Sequence, residues 1–310
     1  MNVRLGLLHT RTKLGYRRAN LKKLNRSLVN AVENKDVDAV VVPAFPLIGP
    51  IIGYYPEVKA RHYIRSYAER LFSSKETHSV NILSKLAMSY GIEIIGGPII
   101  ERAGPRLYLT MFHIDSDGML RGKYRKITVT EKEAEMGISP GREFAIFEIG
   151  KKLKVGVFSD EDLIRSEIFR YFQFSGVNVV IGTMLPYESD YIRITTLASS
   201  GTIKTMDENV VKSLLLTRAL ETGVPIILLG GAVEASNSTA DVAFMPTIIA
   251  EPEMGVPDKL VKGYDDLEEI VVVEVDTTTS VPRKCDELCM ASLKNFCQKG
   301  VLRNRRIQKT

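Results

Sequence analysis

The sequence predicts a layered α/β fold in which helices cover the outer faces of the sheets. Several short runs rich in β-branched residues are continuously apolar instead of alternating, as in strands buried on both sides. Helical periodicity fills stretches between them, and one stretch switches to period two around a glycine-bearing turn.

Val3–Leu8 is the first predicted strand. Ala19–Glu33 then predicts a helix, with Asn20 as N-cap and Leu21, Leu24, Leu28 and Val32 on one face. A strand at Ala39–Val42 precedes a second helix, Ser79–Tyr90, with Val80, Leu83, Leu86 and Ala87 on its apolar face. Ile92–Ile95 is the next strand. Leu107–Ile114 and Leu120–Tyr124 then form a hairpin about Asp115-Ser-Asp-Gly118. Strands at Leu153–Phe158 and Val177–Ile181 lead to a third helix, Val210–Glu221, which ends before Gly223, a favoured residue just past a helix C-terminus. Pro225–Leu229 and Ile270–Val275 complete the strands.

The 310 residues are 45% hydrophobic and 25% charged with a net charge of +5, which excludes a disordered chain. No apolar run approaches the roughly 20 residues of a membrane span, and the first ten residues lack the apolar stretch of a signal peptide. The expectation is a cytoplasmic protein with no membrane contact. Gly96-Gly97 and Gly230-Gly231 follow strands but lack the context of a phosphate-binding loop, so no cofactor is expected. His9, His62, His78 and His113 stand in no ligand spacing. Cys285, Cys289 and Cys297 have no histidine nearby, so no metal is expected and these cysteines read as small apolar residues. All three lie beyond residue 284, which leaves no thiol upstream for catalysis.

Four segments in order resemble the carbon–nitrogen hydrolase (nitrilase/amidase) superfamily. They are Asp38-Ala-Val-Val-Val-Pro43-Ala44 with Gly53-Tyr54, then Gly91–Gly97 running through the hairpin to Gly122-Lys-Tyr-Arg-Lys126. Val155-Gly-Val-Phe-Ser-Asp160-Glu-Asp162 with Glu167 and Arg170 is the third, and Arg218-Ala219-Leu-Glu221 the fourth. The resemblance implies a four-layer α-β-β-α sandwich over residues 1–282, followed by a C-terminal extension, 283–310, that is basic at its end and packs on another subunit. It also implies a Cys nucleophile, a Glu base and a Lys that stabilises the oxyanion. Lys126 matches the Lys, whereas Ala44 stands at the Glu position and Asp160 at the Cys position. Tyr124, Asp162, Glu167 and Arg170 fall at positions that support the site. A lysine buried without the Glu would lose its proton, so Asp160 is expected to pair with Lys126 within about 6 Å.

The reading is a non-catalytic nitrilase-fold protein, self-associating as a dimer or larger oligomer, that acts as a binding or scaffold protein. A small-molecule ligand would occupy the degenerate pocket around Ala44, Lys126 and Asp160. One alternative is a rewired amidase-like hydrolase using Asp160 and Lys126. Another is a nucleic-acid or ribonucleoprotein partner. Residues 1–32 hold eight cations and no acid, and 294–310 hold six and no acid. Within them, Arg17, Arg18, Lys22, Lys23, Arg303, Arg305 and Arg306 are the candidate anion-binding residues. A solvated helix face and a basic chain end explain the same charges.

Overall fold

A computed structural model describes residues 2–72, 78–150, 153–186, 194–195, 202–203, 208–234, 242–252 and 269–278. Cys285, Cys289, Cys297, Arg303, Arg305 and Arg306 lie outside the described residues. In chain order the first half comprises β1 (Asn2–His9), β2 (Arg11–Lys13), α1 (Arg17–Lys35), β3 (Ala39–Val41), α2 (Glu57–Tyr67), α3 (Ser79–Tyr90), β4 (Glu93–Ala103), β5 (Arg106–Ile114), β6 (Leu120–Arg125) and α4 (Glu131–Glu135). The second half comprises β7 (Ile146–Ile149), β8 (Leu153–Ser159), a 3-10 turn (Asp160–Ile164), α5 (Ser166–Ser175), β9 (Val179–Thr183), β10 (Ile194–Thr195), β11 (Thr202–Ile203), α6 (Glu208–Thr222), β12 (Ile226–Leu229), β13 (Gly231–Glu234), β14 (Val242–Met245), β15 (Ile248–Ala250) and β16 (Glu269–Asp276).

Two large sheets form the centre. The first runs β16-β1-β3-β4-β5-β6, with β1, β3 and β4 mutually parallel. The second runs β15-β12-β9-β8-β7, with β12, β9 and β8 parallel. One apolar cluster brings Leu5, Leu7, Val41, Met111 and Tyr124 of the first sheet against Val155, Val157, Ile181 and Leu229 of the second. That cluster is the interior between the sheets. Helices α1 and α3 touch the first sheet through β1, β4 and β5, while α6 touches β12 and β15 of the second and packs beside α5. The sandwich is therefore α-β-β-α, and its central strands β3, β4, β8, β9 and β12 are largely apolar because they are covered on both faces, whereas the edge strand β6 is polar.

Most predicted elements fall where the periodicity puts them. Helix α3 runs over the predicted residues and ends at Gly91 in the left-handed conformation, and α6 ends before Gly223 at φ +72°. The hairpin turns at Asp115–Gly118, where Gly118 has φ +77°. Asn20 is a correction. Helix α1 begins at Arg17 with Tyr16 before it, so Asn20 lies within the first turns and caps nothing. Its side chain instead accepts from Lys13 N and donates to the carbonyls of Lys13 and Leu47, tying β2 and the stretch after β3 to the helix. A polar residue with tertiary partners mimics a cap signal. Helix α5 carries no sustained periodic signal, because its buried positions (Ile168, Phe169, Phe172) span little more than one turn.

Close packing near the end of β8 is set by glycine. Phe158 packs at 5.3 Å against the tilted ring of Phe169, and a Cβ on Gly182 of the neighbouring β9 would lie 2.1 Å from the Phe158 ring. Gly182→Ala is therefore expected to lower the unfolding free energy by about 1–3 kcal/mol, read from urea denaturation. A midpoint equal to that of the parent would show that the ring can move aside.

Candidate functional site

Strand β8 ends at Ser159, and the chain turns at Asp160 with φ +47°. This left-handed conformation is uncommon for a residue with a Cβ and costs about 1 kcal/mol. The 3-10 turn that follows is clamped from outside. Arg218 on α6 donates from Nε to the Leu163 carbonyl at 3.1 Å and from Nη2 to the Ile164 carbonyl at 2.9 Å. Arg218 and Glu221 of the fourth motif also bond each other at 2.7 Å. The motif thus holds the turn that carries Asp160.

Lys126 follows β6. Its backbone N–H donates to Leu109, and its carbonyl accepts from Gly141, so both sides of the peptide are fixed. The ammonium donates to Glu133 Oε1 at 2.7 Å, forms an ion pair with Glu161 and lies 3.9 Å from Asp160 Oδ2. All four side chains are no more than 1% exposed. Lys126 and Asp160 are thus close, as expected, but Glu133 is closer.

Glu133 arrives through helix capping. Thr130 caps α4, its Oγ1 accepting from Glu133 N, while Glu133 Oε2 accepts from Thr130 N at 2.9 Å. The other carboxylate oxygen is left for Lys126. Behind the ammonium, Asp162 accepts from Tyr124 Oη at 2.6 Å and from the backbone N–H groups of Ile127 and Thr128. Asp162 and Tyr124 therefore fix the main chain on the C-terminal side of Lys126.

One ammonium faces three carboxylates, an excess of negative charge that burial cannot sustain. Burial pushes Asp160 up from 3.8 to about 7 against the pull of Lys126, and it raises Glu133 in the same way. Asp162 is also raised by burial, and the Tyr124 phenol is pushed well up by burial and by Asp162. Asp160 accepts from Ser159 Oγ at 2.7 Å through Oδ2, while its buried Oδ1 has no hydrogen-bond partner. The cluster can take up and release protons near neutrality.

Ala44 lies just beyond β3, fully buried and carrying no carboxylate. Glu167 and Arg170 do not join the site. Both are exposed on α5, where Glu167 lies 4.0 Å from Arg165 and Arg170 bonds Gln173. Helical spacing from the turn places them on its solvent face. The basic residues of α1 also separate. Arg17 pairs with buried Glu69 at 3.0 Å, and Lys23 turns to the Arg11 carbonyl beside Glu234. Arg18 and Lys22 line a groove between α1 and α3 with Lys85.

Sequence alone gives Glu133 no place in the site, and Glu161 enters only as a neighbour of Asp160 in the third motif. Thr130-x-x-Glu133 carries a capping-box signal, but that signal marks a helix start and not a partner for Lys126. Consecutive residues of the Asp160-Glu161-Asp162 run would point in different directions on an extended chain, and the 3-10 geometry buries all three.

A family model described as carbon-nitrogen hydrolase matches residues 6–282. Among curated proteins, omega-amidase NIT2 of Xenopus tropicalis is 31% identical over 128 residues, 38% of this chain and 44% of the relative. The chloroplastic omega-amidase of Arabidopsis thaliana is 44% identical over 62 residues, 20% of this chain and 17% of the relative. These matches span less than half the length of either relative. Among solved structures, Saccharomyces cerevisiae Nit3, of branch 10 of the nitrilase superfamily, superposes with a TM-score of 0.67 at 22% identity. It covers 90% of this chain and 91% of its own. A C145A mutant of the Nesterenkonia AN1 amidase gives 0.65 at 17% identity, covering 94% and 96%.

The charge cluster sets the pH dependence of stability. Asp160 binds its proton more tightly when folded, so its contribution is complete below about 3.8 and is lost as pH rises towards about 7. Asp160→Asn should flatten this part of the stability profile and melt a few degrees above the parent at pH 8, in thermal unfolding across pH. An unchanged slope would show that Asp160 is ionised throughout. Lys126→Met strands three buried carboxylates and should cost about 3–5 kcal/mol at pH 8, with a smaller loss at pH 5, where they take up protons. A loss that does not depend on pH would argue against such protonation.

Proposed function

The chain belongs to the carbon–nitrogen hydrolase family, and we propose that it keeps the family fold without the family reaction and serves as a binding or scaffold protein. The observation that carries this reading is the occupancy around Lys126. The position of the nucleophile holds a carboxylate, and the ammonium that would stabilise an oxyanion is bonded to Glu133, paired with Glu161 and near Asp160. Ala44 supplies no base. An attacking group, its base and a cation free to meet new negative charge are the three requirements of acyl transfer by a nucleophile, and the residues matching those roles meet none of them. On this reading the ligand is a small molecule taken up at the site of Ala44, Lys126 and Asp160, and the protein assembles with copies of itself.

A second reading is favoured by Asp160 alone. A carboxylate near pH 7 with a buried, unpartnered Oδ1 is suited to take a proton from water as the water oxygen attacks a carbonyl carbon. Lys126 would steady the anion that forms.

A panel of amides and nitriles decides between the two readings, and it should include the omega-amides implied by the names of the Xenopus relatives. No turnover above buffer is expected from the parent chain. Turnover that disappears in both Asp160→Ala and Lys126→Ala would overturn the non-catalytic reading in favour of the second. Analytical ultracentrifugation is expected to show a dimer or a larger species, and a monomer at micromolar concentration would remove the scaffold role.

A further inference from the structure

At the β6 edge of the first sheet, a cavity of about 290 Å³ is lined by Arg106, Tyr108, Lys123, Arg125, Arg142 and Glu143. Strand alternation builds it. Arg125 lies opposite Thr110 and Lys123 opposite Phe112, so both share a face with Arg106 and Tyr108. Met111 and Tyr124 take the other face and enter the interior between the sheets. The far wall is the stretch leading to Gly141, laid along the strands by hydrogen bonds from Ser139 N to the Leu107 carbonyl and from Gly141 N to the Lys126 carbonyl. The approach at Gly141 is so close that a Cβ there would lie 2.0 Å from the Arg125 oxygen.

The cavity is pre-organised and positive. Buried Glu101 accepts from Arg125 Nε and Nη2, both at 2.7 Å, and from Thr110 Oγ1 at 2.7 Å. The Arg125 guanidinium also lies over the Tyr108 ring at 3.9 Å, which fixes its plane. Exposed Arg106 and Arg142 form no ion pair among the described residues. Four cations therefore face two carboxylates, Glu143 in the lining and Glu101 behind it, leaving a surplus of two positive charges. A phosphate monoester carries about −1.5 to −2 at neutral pH and matches that surplus. The volume is at the small end of ligand pockets, which run from roughly 300 Å³ upwards. A nucleic acid is a poorer fit, because the one aromatic ring that could stack a base is already covered by Arg125.

We propose that this cavity binds a phosphate dianion, free or carried as the monoester of a small molecule. Arg106, Lys123 and Arg142 provide its charge-assisted hydrogen bonds, with Arg125 held as a rigid floor. The site is separate from the Lys126 cluster and does not depend on the reading given to it.

Isothermal titration of the full chain with glycerol 3-phosphate, inorganic phosphate and glycerol at fixed ionic strength tests this. Saturable one-site binding is expected for the two phosphates and none for glycerol. Tighter binding of the ester identifies a monoester as the ligand, and equal affinity identifies free phosphate. R106A/R142A should weaken binding at least about tenfold. R18A/K22A, on the basic face of α1, should leave it unchanged, with thermal melts confirming that both variants fold. The proposal is overturned if neither phosphate saturates, if R106A/R142A binds as the parent does, or if R18A/K22A abolishes binding.

Discussion

Lys126 Nζ is withdrawn from water at the end of β6, and an ammonium so placed must find carboxylates or lose its proton. Three carboxylates meet it, and each comes from a different structural device. Glu133 is brought by a helix cap, Asp160 by a left-handed turn after β8, and Glu161 by the 3-10 turn that follows. Because the three negative charges exceed the one positive charge, the cluster is more stable when it carries protons than when it is fully ionised. Burial raises Asp160 and Glu133 in the direction that supplies those protons.

The surrounding architecture reads as support for this arrangement. Arg218 pins the 3-10 turn to α6, and Asp162 pins the residues after Lys126 while holding Tyr124. Phe158 fits against Gly182 in the layer beneath Ser159 and Asp160, so the end of β8 cannot slide. These contacts join both sheets and the outer helices to one buried charge group. A polar network of this kind is costly if any member is lost and rigid when all are present.

How far this was legible from sequence follows from the range of each signal. Apolar runs and helical spacing act locally, and they place β1, β8, α3, α6 and the hairpin close to where they lie. The resemblance ordered Ala44, Lys126 and Asp160 along the chain, and the structure puts Asp160 at 3.9 Å from Lys126. Glu133 escaped because its capping pattern explains it fully without reference to any distant lysine. Asn20 misled for the opposite reason, since a side chain with partners in Lys13 and Leu47 looks in sequence like a cap. Glu167 and Arg170 were carried by motif position, but which way a residue faces depends on where α5 begins, and that is set by the turn before it.

On the proposed reading, the two positions that differ from the pattern the resemblance implies have opposite effects on charge. Ala at position 44 removes a carboxylate, and Asp at position 160 adds one. A thiol at 160 could be neutral or anionic beside the lysine, whereas an aspartate places a permanent acceptor there and draws the ammonium into a paired state. Losing only the Glu would leave Lys126 with fewer partners, and gaining only the Asp would crowd another carboxylate into a site that already holds Glu133 and Glu161. Together the substitutions keep the number of carboxylates constant while moving one of them from the position of the base to that of the nucleophile. The buried lysine therefore remains compatible with the fold under either placement of the carboxylate, because the charge that surrounds it is the same in number.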